Sequence, residues 1–163
     1  MKRLMFVFAG LLASINALPK EVLSGKIVTV IDGNTVELVA EDNETYKIKL
    51  HGIDCPQLGQ DYGEKAKRYL EKMLLDKPVS VEMKGKDRWG TRLGVIIIDG
   101  ELDPRYELLK EGLAWTAEVN PNPELEGIRE KAKEKGKGLW KDNNPTPPWV
   151  FRRKQTLTQF KSS

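Results

Sequence analysis

The stretch from Val22 to Ile53 leaves the chain little choice about what it builds. In "GKIVTVIDG" the residues Ile27, Val28, Val30 and Ile31 stand among polar neighbours, and "NTVELVA" resumes the pattern after the turn signal Asp32-Gly33. "EDNE" marks a second turn ahead of "TYKIKLHGI". Three strands joined by connections this short pair with their neighbours as an antiparallel meander, because parallel pairing would need a long crossover.

The period then changes. "DYGEKAKRYLEKMLL" places Ala66, Tyr69, Leu70, Met73 and Leu74 at helical spacing with charges opposite them. "KPVSVEMKGK" and "TRLGVIIID" return to β, separated by "DRWG". A second helix is expected over Asp103 to Glu111, with Asp103 as N-cap, Pro104 in the first turn and Gly112 as the stop. A third runs from about Pro123 to Lys135, where the charge run "REKAKEKGK" reads as a solvated face. Beyond Trp140, "KDNNPTPPWVFRRK" is rich in proline and is expected to be extended, with Trp149 and Phe151 folding it back on the body. Trp115 and Trp140 are expected to seal the core. The order of three strands, helix, two strands and two helices predicts an α+β fold: a five-stranded OB-fold β-barrel, partly open, with three packed helices.

The first 17 residues have a different character. Lys2 and Arg3 precede an apolar run from Leu4 to Ala13, too short to span a bilayer, and small residues follow up to Ala17. Residues 1–17 therefore read as a signal peptide, 18–149 as the domain and 150–163 as a basic tail, and the protein as secreted or periplasmic. The whole chain carries 27 bases and 24 acids. Without Lys2, Arg3 and the four bases of the tail, the body keeps 21 bases against 24 acids, a net −3. A surface evolved to grip polyphosphate usually shows the opposite balance, so charge does not favour nucleic acid as the partner. Cys55 is the single cysteine, which excludes an internal disulfide, and beside His51 alone it reads as a small part-buried residue, not a nucleophile.

Six segments, "VTVIDGNTVEL", "YKIKLHGIDCPQLGQDYGEKAKRYLEKML", "DRWGTRLGVIIIDG", "ELLKEGLAW", "AKEKGKGLW" and "PPWVFRR", occur in the order and spacing of the staphylococcal nuclease (thermonuclease) family. The chain resembles that family over roughly residues 22 to 153. The resemblance implies the OB-type barrel and calcium-dependent hydrolysis of phosphodiester bonds in DNA and RNA. Such chemistry needs a hard cation on oxygen ligands, a base for water, and planar cations for the phosphate charge.

Carried over position by position, the resemblance puts the metal ligands at Asn34, Asp54 and the backbone carbonyl of Cys55. Gln57 falls on the glutamate that acts on water, and Lys49 on the first arginine. Thr91 falls on the second, with Arg92 one position late. Trp89 stands where the family has an aromatic near the substrate. Only Asp54 keeps the family's decisive side chain. Asn34 removes one of two carboxylates, so calcium would be held weakly. Gln57 cannot accept a proton, and losing a general base costs about 10²–10⁴ in rate. Lys49 has charge without the two-pronged geometry of arginine. A one-residue slip would turn Arg92 to the other face of its strand. Downstream of Trp115, Glu118 would repel a phosphate.

These substitutions predict a catalytically impaired or inactive, monomeric family member that acts by binding nucleic acid, peptide or another protein. Two alternatives follow: an active calcium-dependent nuclease in which Asp54 holds the metal and Lys49 and Arg92 replace the arginines, and an envelope-associated module that uses the basic tail.

Overall fold

The computed structural model describes residues 20–161, and the expected signal segment of residues 1–17 lies outside them. Five strands close a barrel: β1 (Val22–Asp32), β2 (Thr35–Ala40), β3 (Thr45–Leu50), β5 (Pro78–Lys86) and β6 (Arg92–Ile98), in the order β1-β2-β3-β6-β5. Two-residue strands β4 (Ile53–Asp54) and β7 (Trp115–Thr116) form a separate ladder at one side. The barrel is not a simple meander and is not partly open. The ridge of β5 returns to β1, and β6 runs parallel to β3 with Ile48 opposite Arg92, which closes the sheet on itself. Closure removes the unpaired edge that an open sheet would expose.

Alternation sets the interior. Ile27, Leu38, Ile48, Val81 and Ile96 have no solvent exposure and fill the barrel. Helix α1 (Gly63–Leu74) closes one end with Ala66, Leu70 and Leu74, the face expected from its 3.6-residue period. Each buried isoleucine, leucine or valine among these contributes about 1.5–3 kcal/mol of transfer free energy. Helix α2 (Pro104–Lys110) starts as expected, with the Asp103 side chain accepting from the Arg105 N–H. Helix α3 (Pro123–Glu134) is capped by Asn122, whose side chain accepts from the amides of Glu124 and Leu125.

The C-terminal segment departs from expectation. After Lys141 the chain is non-helical as far as Pro147; from Pro148 to Lys161 it forms a fourth α-helix, α4, so the described residues hold four where three were expected. Proline was read as a helix breaker, yet at the start of a helix its missing N–H costs nothing and its fixed φ is already helical. The Pro147 carbonyl accepts from the amides of Val150 and Phe151 and opens the helix.

Candidate functional site

The Asp-Gly turn is held from beneath. Gly33 and Asn34 form the two-residue connection between Asp32 and Thr35, and the Asn34 amide donates to the Asp32 carboxylate at 2.9 Å. A Cβ on Gly33 would come within 2.7 Å of the Cβ atoms of Ala66 and Cys55, so only glycine lets this turn rest on α1 and on the strand that follows. Cys55 is fully buried, more than its expected part-burial, and its thiol donates to the Gly33 carbonyl at 3.2 Å. Burial, reinforced by Asp54 and Asp32, pushes that thiol well up, so it is a packing residue and not a nucleophile.

The residues expected around a metal do converge, with a different set of partners. Asn34 is almost wholly buried and its side-chain amide donates to the Ile53 carbonyl at 3.3 Å. The carbonyl of Cys55 accepts from the Gln57 side-chain amide at 3.4 Å. Asp54 is 7% exposed and receives both guanidinium nitrogens of Arg152, at 3.1 and 2.6 Å, with the Lys49 ammonium at 3.8 Å. Among the described residues no three histidine, cysteine, aspartate or glutamate side chains gather as a metal site would require.

Whether this donor set fits calcium follows from its chemistry. A hard dication wants six to eight oxygens with carboxylates among them. Here the single carboxylate is already neutralised bidentately, and two of the neighbouring oxygens are taken by amide donors that would have to turn away. The residues present do not fit the ion.

Arg152 is the residue that sequence reading missed. Its place is fixed from two sides. Asp54 pairs with Trp115 in the β4–β7 ladder, and Trp149 stacks edge-on against Trp115 with ring centroids 5.6 Å apart. Trp149 and Arg152 stand three residues apart on α4, hence on one face. The indole therefore docks beside Trp115 as the guanidinium docks on its ladder partner. Trp140 completes the aromatic group, 4.6 Å from Trp115, and both are half-buried at this seam. Arg153 pairs with Glu118, the carboxylate expected to repel phosphate, so that charge is spoken for. Gln60 donates to the Thr146 carbonyl at 2.6 Å and ties the approach to α4 onto the loop after Gln57. A signal existed in "PPWVFRR": paired prolines that can start a helix, then an aromatic and an arginine at i and i+3.

The remaining expected positions lie apart from this cluster. Arg92 is in register with Ile48, on the side of Gly94, Ile96 and Ile98, and its guanidinium lies over the Tyr46 ring at 4.7 Å. Thr91 is in the β5–β6 connection, with its amide on the Asp87 carboxylate. Trp89, 65% exposed, stands at the tip of that connection with the Arg88 guanidinium 4.0 Å from its ring centroid.

Barrel, turn and site can be set beside known proteins. Residues 47–142 match the family described as staphylococcal nuclease homologue. The chain belongs to the staphylococcal nuclease family. Within it, a protein of Escherichia coli O157:H7 named an uncharacterized endonuclease is 31% identical over 134 residues, which cover 82% of this chain and 87% of that protein. Another uncharacterized endonuclease, from Haemophilus influenzae, is 32% identical over 144 residues, covering 88% of this chain and 80% of its own length. A micrococcal nuclease of Shigella flexneri is 28% identical over 140 residues, covering 79% and 80%. The family accounts for the OB-type barrel; the pairing of Asp54 with Arg152 is seen in this chain itself.

Proposed function

We propose that this staphylococcal-nuclease-family domain binds nucleic acid without hydrolysing it, and that it acts outside the cytoplasm or in the periplasm. The observation that carries the reading is the state of the expected metal ligands. Arg152 holds Asp54, Gln57 holds the Cys55 carbonyl, and the Asn34 amide is turned to Ile53. Gln57 presents an amide where the family has its glutamate, and Arg92 is committed to Tyr46. The lost contributions act together, so their sum overstates the deficit, yet a missing base alone removes about 10²–10⁴ in rate.

Binding is supported locally, not by net charge. Lys86, Arg88 and Trp89 are exposed together at the end of β5 and in the turn beyond it, while Lys84 is paired with Glu82. An aromatic face flanked by cations suits a single strand, since any base can stack and the cations meet the backbone. The body's net −3 is an average; at this tip Lys86 and Arg88 flank the exposed indole, with Asp87 held by the turn's own amides.

The test is digestion of plasmid and denatured DNA by the purified mature chain, with and without millimolar calcium, beside fluorescence anisotropy with a labelled single-stranded oligonucleotide. Retarded oligonucleotide and intact DNA are the expected result. Calcium-dependent cutting abolished by Asp54→Ala would overturn it in favour of an active nuclease with a non-standard site.

A further inference from the structure

We propose that the outward face of α4, together with the neighbouring loop at Val119, docks the protein on an anionic lipid surface. The proposal goes beyond the preceding reading of the site and does not depend on it.

Helix α4 meets the body through its first turn. Trp149 stacks on Trp115, Phe151 lines a cavity with Gln60, Leu139 and Thr146, and Arg152 holds Asp54. From Arg153 to Phe160 every residue is exposed. At 3.6 residues per turn, Val150, Leu157 and Phe160 fall within an arc of about 80°, on the side away from Phe151 and Arg152. Leu157 is 63% exposed and Phe160 78%. Arg153 stands inside that arc and Lys154 at its margin. Arg153 pairs with Glu118, which brings the loop after β7 alongside the helix, and the next residue of that loop, Val119, is 72% exposed. Large apolar side chains and bases therefore share one open surface.

Charge and apolar area together decide what such a surface takes. Residues 148–163 carry four bases and no acid. A second copy would set those bases against themselves, since a two-fold contact brings the same patch from both sides. A nucleic acid would satisfy the cations but leaves Leu157 and Val119 without a use, because aliphatic side chains do not stack on bases as an aromatic does. The boundary of an anionic bilayer satisfies both. Its phosphates meet the cations while the acyl region takes up the apolar side chains, and a lysine stem such as that of Lys154 bridges the two levels. With 14 residues α4 is too short to span a bilayer, so it lies on the surface.

Neither contribution suffices alone. The exposed apolar side chains are few, and stable attachment without a spanning helix takes two signals acting together. Glu118 neutralises Arg153, so Lys154 and Lys161 supply most of the attraction. Each such cation near an anionic leaflet strengthens binding about fivefold, an effect that salt screens.

The experiment is co-sedimentation with vesicles of phosphatidylcholine alone and of phosphatidylcholine with phosphatidylglycerol in equal parts. The chain is used entire and from Leu18 onward, which separates α4 from any pull of the apolar run Leu4 to Ala13. Wild type is compared with the double variants Leu157→Gln with Phe160→Gln and Lys154→Gln with Lys161→Gln, folding being checked by circular dichroism. The chain from Leu18 is expected to sediment with the anionic vesicles and not with phosphatidylcholine alone, and to be released by high salt. Each double variant should bind about fivefold or more weakly, in both lengths of chain. Equal sedimentation of the shorter chain with the two vesicle types, or unchanged binding in either double variant, would overturn the proposal.

Two further results would reassign the face. A dimer seen by sedimentation velocity without lipid, and lost in the Leu157→Gln with Phe160→Gln variant, would make it a contact between copies. A fall in single-strand affinity in that variant, with no vesicle binding by wild type, would make it part of a nucleic-acid surface. Cutting of DNA by wild type in calcium would sink the preceding reading and leave the vesicle result standing, whereas failure on vesicles sinks only the lipid surface.

Discussion

Arg152 and Asp54 meet as a two-pronged ion pair across 98 residues of sequence, at a carboxylate that is 7% exposed. The Arg152 side chain keeps about a third of its exposure, so water screens the pair in part. Removing one member leaves the other charge poorly compensated at a site walled by β4 and β7. Arg152→Ala is expected to cost about 1–3 kcal/mol, below the full penalty for breaking a wholly buried pair. Asp54→Asn together with Arg152→Ala should cost less than the sum of the single changes, with a coupling of about 1 kcal/mol. Urea unfolding followed by tryptophan fluorescence measures the cycle, and additive losses would contradict the pairing.

Restoring the family's side chains should restore chemistry. The chain carrying Asn34→Asp, Lys49→Arg, Gln57→Glu and Thr91→Arg is expected to cut DNA in calcium where the natural chain does not. Return of the base alone is worth about 10²–10⁴ in rate. Intact DNA after incubation of the folded four-change variant in calcium would place the defect elsewhere.

Trp89 offers a cleaner separation of binding from folding. It is 65% exposed and touches Arg88, not the core. Trp89→Ala should leave stability within about 0.5 kcal/mol of wild type. Affinity for a single-stranded oligonucleotide should fall by about tenfold, because stacking one base on an aromatic is worth about 1–3 kcal/mol. Anisotropy at low salt reads the loss, and unchanged affinity would move the binding surface elsewhere.

His51 is the one histidine of the chain, so its ring protons give an unambiguous titration. Burial, then the charges of Arg105 and Lys84, hold its pKa below the ordinary histidine value. The neutral ring is favoured in the folded state, while the unfolded chain binds the proton more readily. Its contribution to stability is therefore present above pH of about 6.5 and is lost as pH falls through the folded pKa. Nuclear magnetic resonance should show a midpoint below 6.5 that rises in Lys84→Gln and in high salt. A midpoint at or above the ordinary value would remove the burial argument.

Much of this molecule was legible in local pattern. Period 2 over Val22–Ile53, period 3.6 over the α1 segment, Asp103-Pro104 and Asn122-Pro123 at helix starts, and the Gly33 turn all act through neighbours a few residues away. The side-chain chemistry at Asn34, Gln57 and Lys49 was legible too, since carboxylate, amide and ammonium differ wherever the chain puts them. Barrel closure was not legible, because the parallel pairing of β6 with β3 depends on two segments more than forty residues apart choosing one register. The helix of residues 148–161 was misread because proline forbids a helix interior and permits a helix start, and only the surrounding contacts show which applies. The partner of Asp54 belongs to the same class. Sequence alone placed one carboxylate without its fellow; the tertiary fold decided that Trp149, seated on Trp115, would deliver Arg152 to it, because a side chain's electrostatic environment is set by what lies within a few ångströms in space and not along the chain.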